Sequence, residues 1–171
     1  MSADEVVGSP RSAVLPWISL VARAVLGGAL FIAGLLKIPD LAQSVTAVQA
    51  YEFPIPPVLE SFLGYTMPVA EILLGLVVLA GFLSRWSALL GGVFMVGYIA
   101  AITSVWVRGL SIDCGCFTPG GSLEPGQRTK YLETILRDTG FLACAAWLVV
   151  FPKSRFSLDM WIQSPLQKES E

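Results

Sequence analysis

The chain has 171 residues, of which 54% are hydrophobic and only 14% are charged, and its formal net charge is -2. A soluble domain carries roughly 25% charged residues, so this composition excludes an ordinary soluble protein and indicates a chain embedded in a lipid bilayer. Histidine is absent, which excludes His-ligated haem, His-ligated zinc and catalytic pairs that need an imidazole. No basic cluster indicates nucleic acid binding.

The apolar stretches predict four membrane spans, since about 20 helical residues cross a hydrocarbon core of about 30 Å. They are predicted at residues 15–36, 65–83, 86–107 and 131–151. Residues 1–14 are predicted to be a cytoplasmic N-terminal segment, 15–151 a single membrane domain, and 152–171 a cytoplasmic interfacial tail. Asp4 and Glu5 make the start acidic, unlike a cleavable signal peptide, so the first span is expected to remain as an anchor.

The segment between the first two spans is too polar and proline-rich to cross a membrane. Asp40 is a candidate N-cap for a short helix whose apolar residues Leu41, Val45 and Val48 share one face. Such a helix is expected to lie along the membrane surface. The predicted fold is therefore an all-α membrane protein, a four-transmembrane-helix bundle with an interfacial helix after span one.

The distribution of Lys and Arg residues indicates the orientation. Four spans place both termini on one face, with Arg11, Arg85, Lys153, Arg155 and Lys168. The opposite face holds Lys37, Arg108, Arg128 and Lys130. Because basic residues favour the cytoplasmic side, this small excess predicts cytoplasmic termini and an extracytoplasmic loop between spans three and four.

That loop contains Cys114 and Cys116 on either side of Gly115. A Cys-x-Cys disulfide closes a small strained ring, and strained disulfides tend to be oxidising and labile. The pair is thus a candidate redox-active dithiol. A static loop staple and a soft-metal site for Cu(I) or Zn(II) are the alternatives, although a closed tetrahedral metal site needs four ligands. Cys144 is expected to be a small apolar residue of span four.

Charged residues inside the spans form the second candidate site. Glu71 and Arg137 are predicted at similar depths below the cysteine loop, and Glu133 precedes Arg137 by one helical turn. Arg23 and Asp138 are the remaining candidates. They would form either a structural ion-pair network or a polar pocket that holds a quinone head group or relays the protons released by thiol oxidation.

These residues resemble the MauE/DoxX-like family of small four-helix membrane proteins. The resemblance covers about Trp17 to Val150 and is carried by the Arg23 span that ends in Gly34-x-x-Lys37, by Pro68-x-x-Glu71-x-x-x-Gly75, by Asp113-Cys114-Gly115-Cys116-Phe117 and by Arg137-Asp138. The cysteine motif is similar to that of the MauE branch of this family. A resemblance to that branch implies a role in methylamine utilisation, in which the protein assists disulfide formation or maturation of a periplasmic dehydrogenase subunit. A resemblance to DoxX proteins implies a link to thiosulfate:quinone oxidoreduction.

Two functional hypotheses follow from the residues and the resemblance. In the first, the chain is a component of a membrane thiol–disulfide oxidoreductase that exchanges disulfides with an extracytoplasmic thioredoxin-like or redox protein and passes electrons to a quinone. In the second, it is a non-enzymatic assembly subunit of a larger membrane complex, with a structural Cys-x-Cys staple and docking through small-residue helix faces. A soft-metal carrier is the third possibility.

Overall fold

The computed structural model describes residues 10–113, 121–122 and 130–152. The fold is helical, as predicted, with α1 (Pro10–Lys37), α2 (Leu41–Gln49), α3 (Pro57–Ala80), α4 (Ser84–Arg108) and α5 (Tyr131–Val150). A 3-10 turn at Ile38–Asp40 joins α1 to α2. Two short strands, β1 (Ile112–Asp113) and β2 (Gly121–Ser122), pair antiparallel.

Within the described residues, three helical segments are long and apolar enough to cross a membrane: Val14–Gln49, Pro57–Ala80 and Ser84–Arg108. The chain is therefore a multi-pass membrane protein. α5 has 20 residues and is not among the three, because Glu133, Arg137 and Asp138 make its first half polar. The presence of a fourth span stays a prediction.

The helix α3 begins at Pro57 rather than near residue 65, where the span was predicted to start. Pro57 occupies the first helical position, where its missing N–H costs little. Pro56 is extended and precedes the helix. Pro68 consequently lies in the helix interior, and Gly81 ends α3 in the left-handed conformation with φ 67°.

Glycines bring α1 and α3 into close antiparallel contact. A Cβ at Gly34 would lie 2.6 Å from the Pro68 carbonyl oxygen, and a Cβ at Gly75 would lie 2.6 Å from the Phe31 backbone nitrogen. Gly92 similarly faces Ala145, where α4 packs on α5. The bundle core is formed by Leu26, Leu30, Val78, Ala88, Met95, Ala145 and Leu148. Gly34, Gly75 and Gly92 thus lie in contacts within the chain itself, whereas a Cβ at Gly28 or Gly97 would meet no atom within 4 Å.

The helix α2 forms where it was predicted and packs against the first half of α3. The Asp40 carboxylate accepts a hydrogen bond from the Gln43 backbone N–H at 2.9 Å, which confirms the predicted N-cap. A Cβ at Gly64 of α3 would lie 2.5 Å from the Val45 Cα, so only glycine permits this approach. The location of α2 along a membrane surface stays a prediction. We call the end of the bundle where α1 and α4 end and α3 and α5 begin the loop end.

Candidate functional site

Three helices contribute one polar side chain each to a cluster near the loop end. The Lys37 ammonium donates to both carboxylate oxygens of Glu71, at 2.7 and 2.8 Å. The Tyr98 hydroxyl donates a further hydrogen bond to Glu71 Oε1. Lys37 also lies over the Tyr98 ring, 5.5 Å from its centroid. We call Lys37, Glu71 and Tyr98 the polar triad.

Burial makes the triad energetically significant. The Glu71 side chain is fully buried, whereas the Lys37 side chain is 14% exposed. A carboxylate removed from water needs a partner charge and hydrogen bonds to compensate for lost hydration, and Glu71 has both. The ion pair is electrically neutral as a unit. Lys37 is the last residue of α1, so its long side chain reaches back toward Glu71 instead of extending away from the helix end.

A cavity of about 390 Å³ adjoins the triad and opens between α2, α3 and α4. Lys37 and Tyr98 are part of its wall. The rest of the wall is largely apolar or aromatic: Ser44, Ala47, Val48, Tyr51, Phe53, Leu63, Gly64, Met67, Pro68, Val93, Phe94, Gly97 and Ala101. An apolar pocket with a few convergent polar groups is typical of a small-molecule site.

A second, much smaller gap of about 10 Å³ connects the triad to α5. Glu71, Tyr98 and Asp138 all line it. Asp138 Oδ2 is buried and has no hydrogen-bond partner among the described residues. The gap is about the size of a single water molecule, so one water can bridge Asp138 to the triad.

The structure brings together only some of the charged residues predicted to share a pocket. Glu71 pairs with Lys37 rather than with Arg137, and Arg137 instead contacts its neighbour Asp138 at 3.0 Å. The expected Glu133–Arg137 pair is also wrong, because Glu133 pairs with exposed Lys130 at 3.2 Å. Equal depth was predicted for Glu71 and Arg137, whereas the side chain that lines a gap together with Glu71 is that of Asp138. The rotation of each helix about its axis decided the partners.

Arg23 is buried in α1, but it does not belong to this cluster. It precedes Lys37 by about 21 Å along the helix axis, toward the opposite end of the bundle. Cys114 and Cys116, the predicted redox pair, lie outside the described residues. Cys144 packs half-buried against the bundle core, as expected for an apolar role. Tyr98 was missed, although a buried tyrosine hydroxyl needs a hydrogen-bond partner and is a signal for such a site.

The residues flanking the cysteine segment are anchored at the loop end. Asp113 pairs with Gly121 in the two-stranded ladder, and Ile112 is buried against Tyr51, which also lines the cavity. The Tyr131 hydroxyl accepts the Ile112 N–H at 3.2 Å and donates to the Leu110 carbonyl.

Arg108 fixes the same region from the end of α4. Its guanidinium donates to the backbone carbonyls of Tyr51 and Glu52, just after α2. Glu52 adopts a left-handed conformation with φ 48°, which an arginine bound to its carbonyl helps to hold. The base of the cysteine loop is thus tied to the cavity wall.

Replacing Tyr131 with phenylalanine tests this anchor. The Ile112 N–H loses its acceptor, and because one such bond contributes about 1 kcal/mol, amide hydrogen exchange at Ile112 is expected to rise roughly three- to tenfold. Exchange of the peptide around residues 110–113 is the measurement. Tyr65→Phe, at a half-exposed position of α3, serves as the control and should leave that exchange unchanged. Equal exchange in both variants would show that the hydroxyl does not hold β1.

Comparison with known proteins identifies the family of this chain. No curated protein and no solved structure matches the chain significantly. A family model, described as methylamine utilisation protein MauE, matches residues 15–151, which include all of α2 to α5 and most of α1. The triad, the cavity and the cysteine segment all lie inside the matched region. The chain belongs to the MauE family.

Proposed function

We propose that this protein is a membrane thiol–disulfide exchange component that oxidises an extracytoplasmic redox partner through Cys114 and Cys116. The family description indicates methylamine utilisation, and the proposed partner is a thioredoxin-like protein that matures a protein of that process. The cysteine loop faces the extracytoplasmic side in this proposal, where disulfides persist.

The proposed reaction conserves thiols and electrons. A thiolate of the reduced partner attacks the Cys114–Cys116 disulfide, and a mixed disulfide forms as one cysteine leaves as a thiolate. The second thiolate of the partner then attacks the partner's own sulfur in the mixed disulfide, and the attached cysteine of this chain leaves as a thiolate. The partner has become a disulfide, and Cys114 and Cys116 have become a dithiol. The dithiol must next lose two electrons and two protons to a further acceptor before it can react again.

The anchoring of both flanks of the cysteine segment is the observation that carries this proposal. Ile112 and Asp113 on one side and Gly121 on the other form a ladder held against Tyr51 and Tyr131. The pairing holds residues 113 and 121, on either side of the cysteine segment, next to each other. The base also borders a cavity with buried ionisable groups, which supports a chemical role for this end of the bundle.

Trapping the mixed disulfide is the direct test. In a Cys144→Ser background, Cys114→Ser and Cys116→Ser are introduced separately, because removal of the resolving cysteine arrests exchange at the mixed disulfide. One of the two variants is expected to accumulate a reductant-sensitive adduct with an extracytoplasmic protein. The parent Cys144→Ser chain is the control and should behave like wild type, since Cys144 lies about 20 Å along α5 from its first residue. Failure of both variants to form an adduct, with full partner oxidation by the double variant, would contradict the proposal.

A membrane-impermeant maleimide tests the orientation separately. Intact cells treated with a mild reductant should be labelled at Cys114 and Cys116. Labelling that requires cell lysis would place the loop in the cytoplasm and contradict the proposed compartment.

The assembly-subunit alternative has less support. It requires small-residue faces that are free to dock another protein. Gly27, Gly34 and Gly75 are instead buried in the contact between α1 and α3, although a Cβ at Gly28 or Gly97 would meet no atom within 4 Å.

A further inference from the structure

We infer that the 390 Å³ cavity beside the polar triad binds the head group of a membrane quinone. The role of that quinone as electron acceptor rests on the proposed thiol–disulfide function. Its binding does not, because described residues alone form the site.

The size and lining of the cavity suit a flat, mostly apolar ring. Sites for small molecules typically measure about 300–1,000 Å³, and this cavity is within that range. Aromatic rings from two segments line it: Tyr51 and Phe53 after α2, and Phe94 and Tyr98 in α4. Tyr51 and Phe53 are stacked with an interplanar angle of 11°, so they present aligned flat surfaces. Offset stacking on such rings favours a planar ligand.

The polar end of the cavity selects a neutral hydrogen-bond acceptor. An ammonium group has three N–H donors, and Glu71 accepts two of those of Lys37. The third has no hydrogen-bond acceptor among the described residues, and Lys37 lines the cavity. A quinone carbonyl can accept it. A phosphate or carboxylate would instead add an uncompensated negative charge beside buried Glu71, which is costly.

The same end offers groups that exchange protons. Glu71 and Asp138 line the small gap next to Tyr98. Oxidation of the Cys114–Cys116 dithiol to the disulfide releases two electrons and two protons. Reduction of a quinone to the quinol consumes two of each, so the reaction balances with carboxylates able to pass protons to the ring oxygens.

The cavity can be reached from the lipid. Val93, which lines it, is 60% exposed on the outer surface of α4. Gly97, one turn further along, is also exposed, and a Cβ placed there would meet no atom within 4 Å. The α4 side of the cavity wall is therefore formed in part by small or exposed residues, and we expect a ring to enter from the bilayer past them.

Photolabelling with an azido-ubiquinone analogue that carries a decyl tail tests this inference. The full chain in phosphatidylcholine nanodiscs should be labelled on peptides that contain the cavity residues 44–53 or 93–101. Excess decylubiquinone should abolish the labelling, and palmitate should not. Gly97→Leu places a side chain in the cavity and is expected to lower labelling at least about tenfold, the equivalent of about 1.4 kcal/mol.

Matched variants interpret the outcome. Gly140→Leu is the control, because Gly140 of α5 is also exposed, has open space around a Cβ and is absent from the cavity wall. Val93→Phe blocks the same opening if Gly97→Leu fails to fold. Unchanged labelling in a folded blocking variant, or equal competition by palmitate because a lipid chain occupies the cavity, would overturn the inference. A Cys114→Ser/Cys116→Ser chain should still be labelled, so failure of the thiol chemistry is distinguishable from failure of quinone binding.

Discussion

Replacement of Glu71 by leucine is expected to lower the free energy of unfolding by about 3 kcal/mol. The substitution leaves the Lys37 ammonium in a mostly buried position without its carboxylate, and breaking a buried ion pair in this way typically costs about 3–5 kcal/mol. The lower end applies because Lys37 is 14% exposed and borders the cavity. Tyr98 loses its acceptor as well. Equilibrium unfolding with SDS in mixed micelles, followed by tryptophan fluorescence, is the measurement.

The chain supplies both a control and a rescue for this experiment. Glu133 forms an ion pair with Lys130 in which both side chains are more than 70% exposed, so Glu133→Leu should change stability by less than about 1 kcal/mol. The double variant Lys37→Met/Glu71→Leu removes both buried charges and should recover most of the loss. Equal destabilisation by the Glu71 and Glu133 substitutions would show that the triad does not hold the helices together.

Gly75→Ala is expected to destabilise the protein by roughly 2 kcal/mol, although alanine favours helix formation. A Cβ at this position would lie 2.6 Å from the Phe31 nitrogen and 2.8 Å from the Gly27 carbonyl oxygen. Both are backbone atoms, so no change of rotamer relieves the clash and α1 must move away from α3. Overpacking of this kind costs about 1–3 kcal/mol. The same SDS titration measures the change.

Gly28→Ala is the control that distinguishes the separation of α1 from α3 from a general effect of alanine on the free energy of unfolding. Gly28 also lies in α1, but a Cβ there would meet nothing within 4 Å. Alanine should therefore stabilise the chain slightly, by up to about 1 kcal/mol, through helix propensity alone. A Gly75→Ala variant as stable as Gly28→Ala would contradict the close packing of α1 on α3.

The helices could be predicted from the sequence because their signals are local. Long apolar runs located α1, α3 and α4, and Asp40 before an apolar periodic stretch located α2. The start of α3 was predicted too late because Pro57 can both break a helix and begin one, and only the extended Pro56 before it decides between the two. Such a choice depends on neighbouring packing, here the contact between Gly64 and α2.

The candidate site could be predicted only in part. Glu71 was identified because a charge inside a span needs a partner, but its partner was not Arg137. Counting residues gives the depth of a side chain along the helix axis, but it does not give the rotation of the helix about that axis. Two residues at the same depth can therefore lie on helix faces that point away from each other. Lys37 was interpreted as the boundary of a span, since lysines at helix ends usually extend toward water. Here a buried carboxylate is close enough to draw the ammonium inward.

The contact between α1 and α5 has a consequence for biogenesis. At the end of the bundle opposite the loop end, Trp147 Nε1 donates to the Ser19 hydroxyl, which donates to the Phe151 carbonyl at 3.0 Å. During synthesis, Ser19 of α1 therefore has neither of these hydrogen-bond partners until α5 has left the ribosome. Synthesis that stops earlier would leave Ser19 uncovered and the gap beside Glu71 without Asp138. Truncation before α5 is therefore expected to yield a chain in which α1 and α3 pack incompletely.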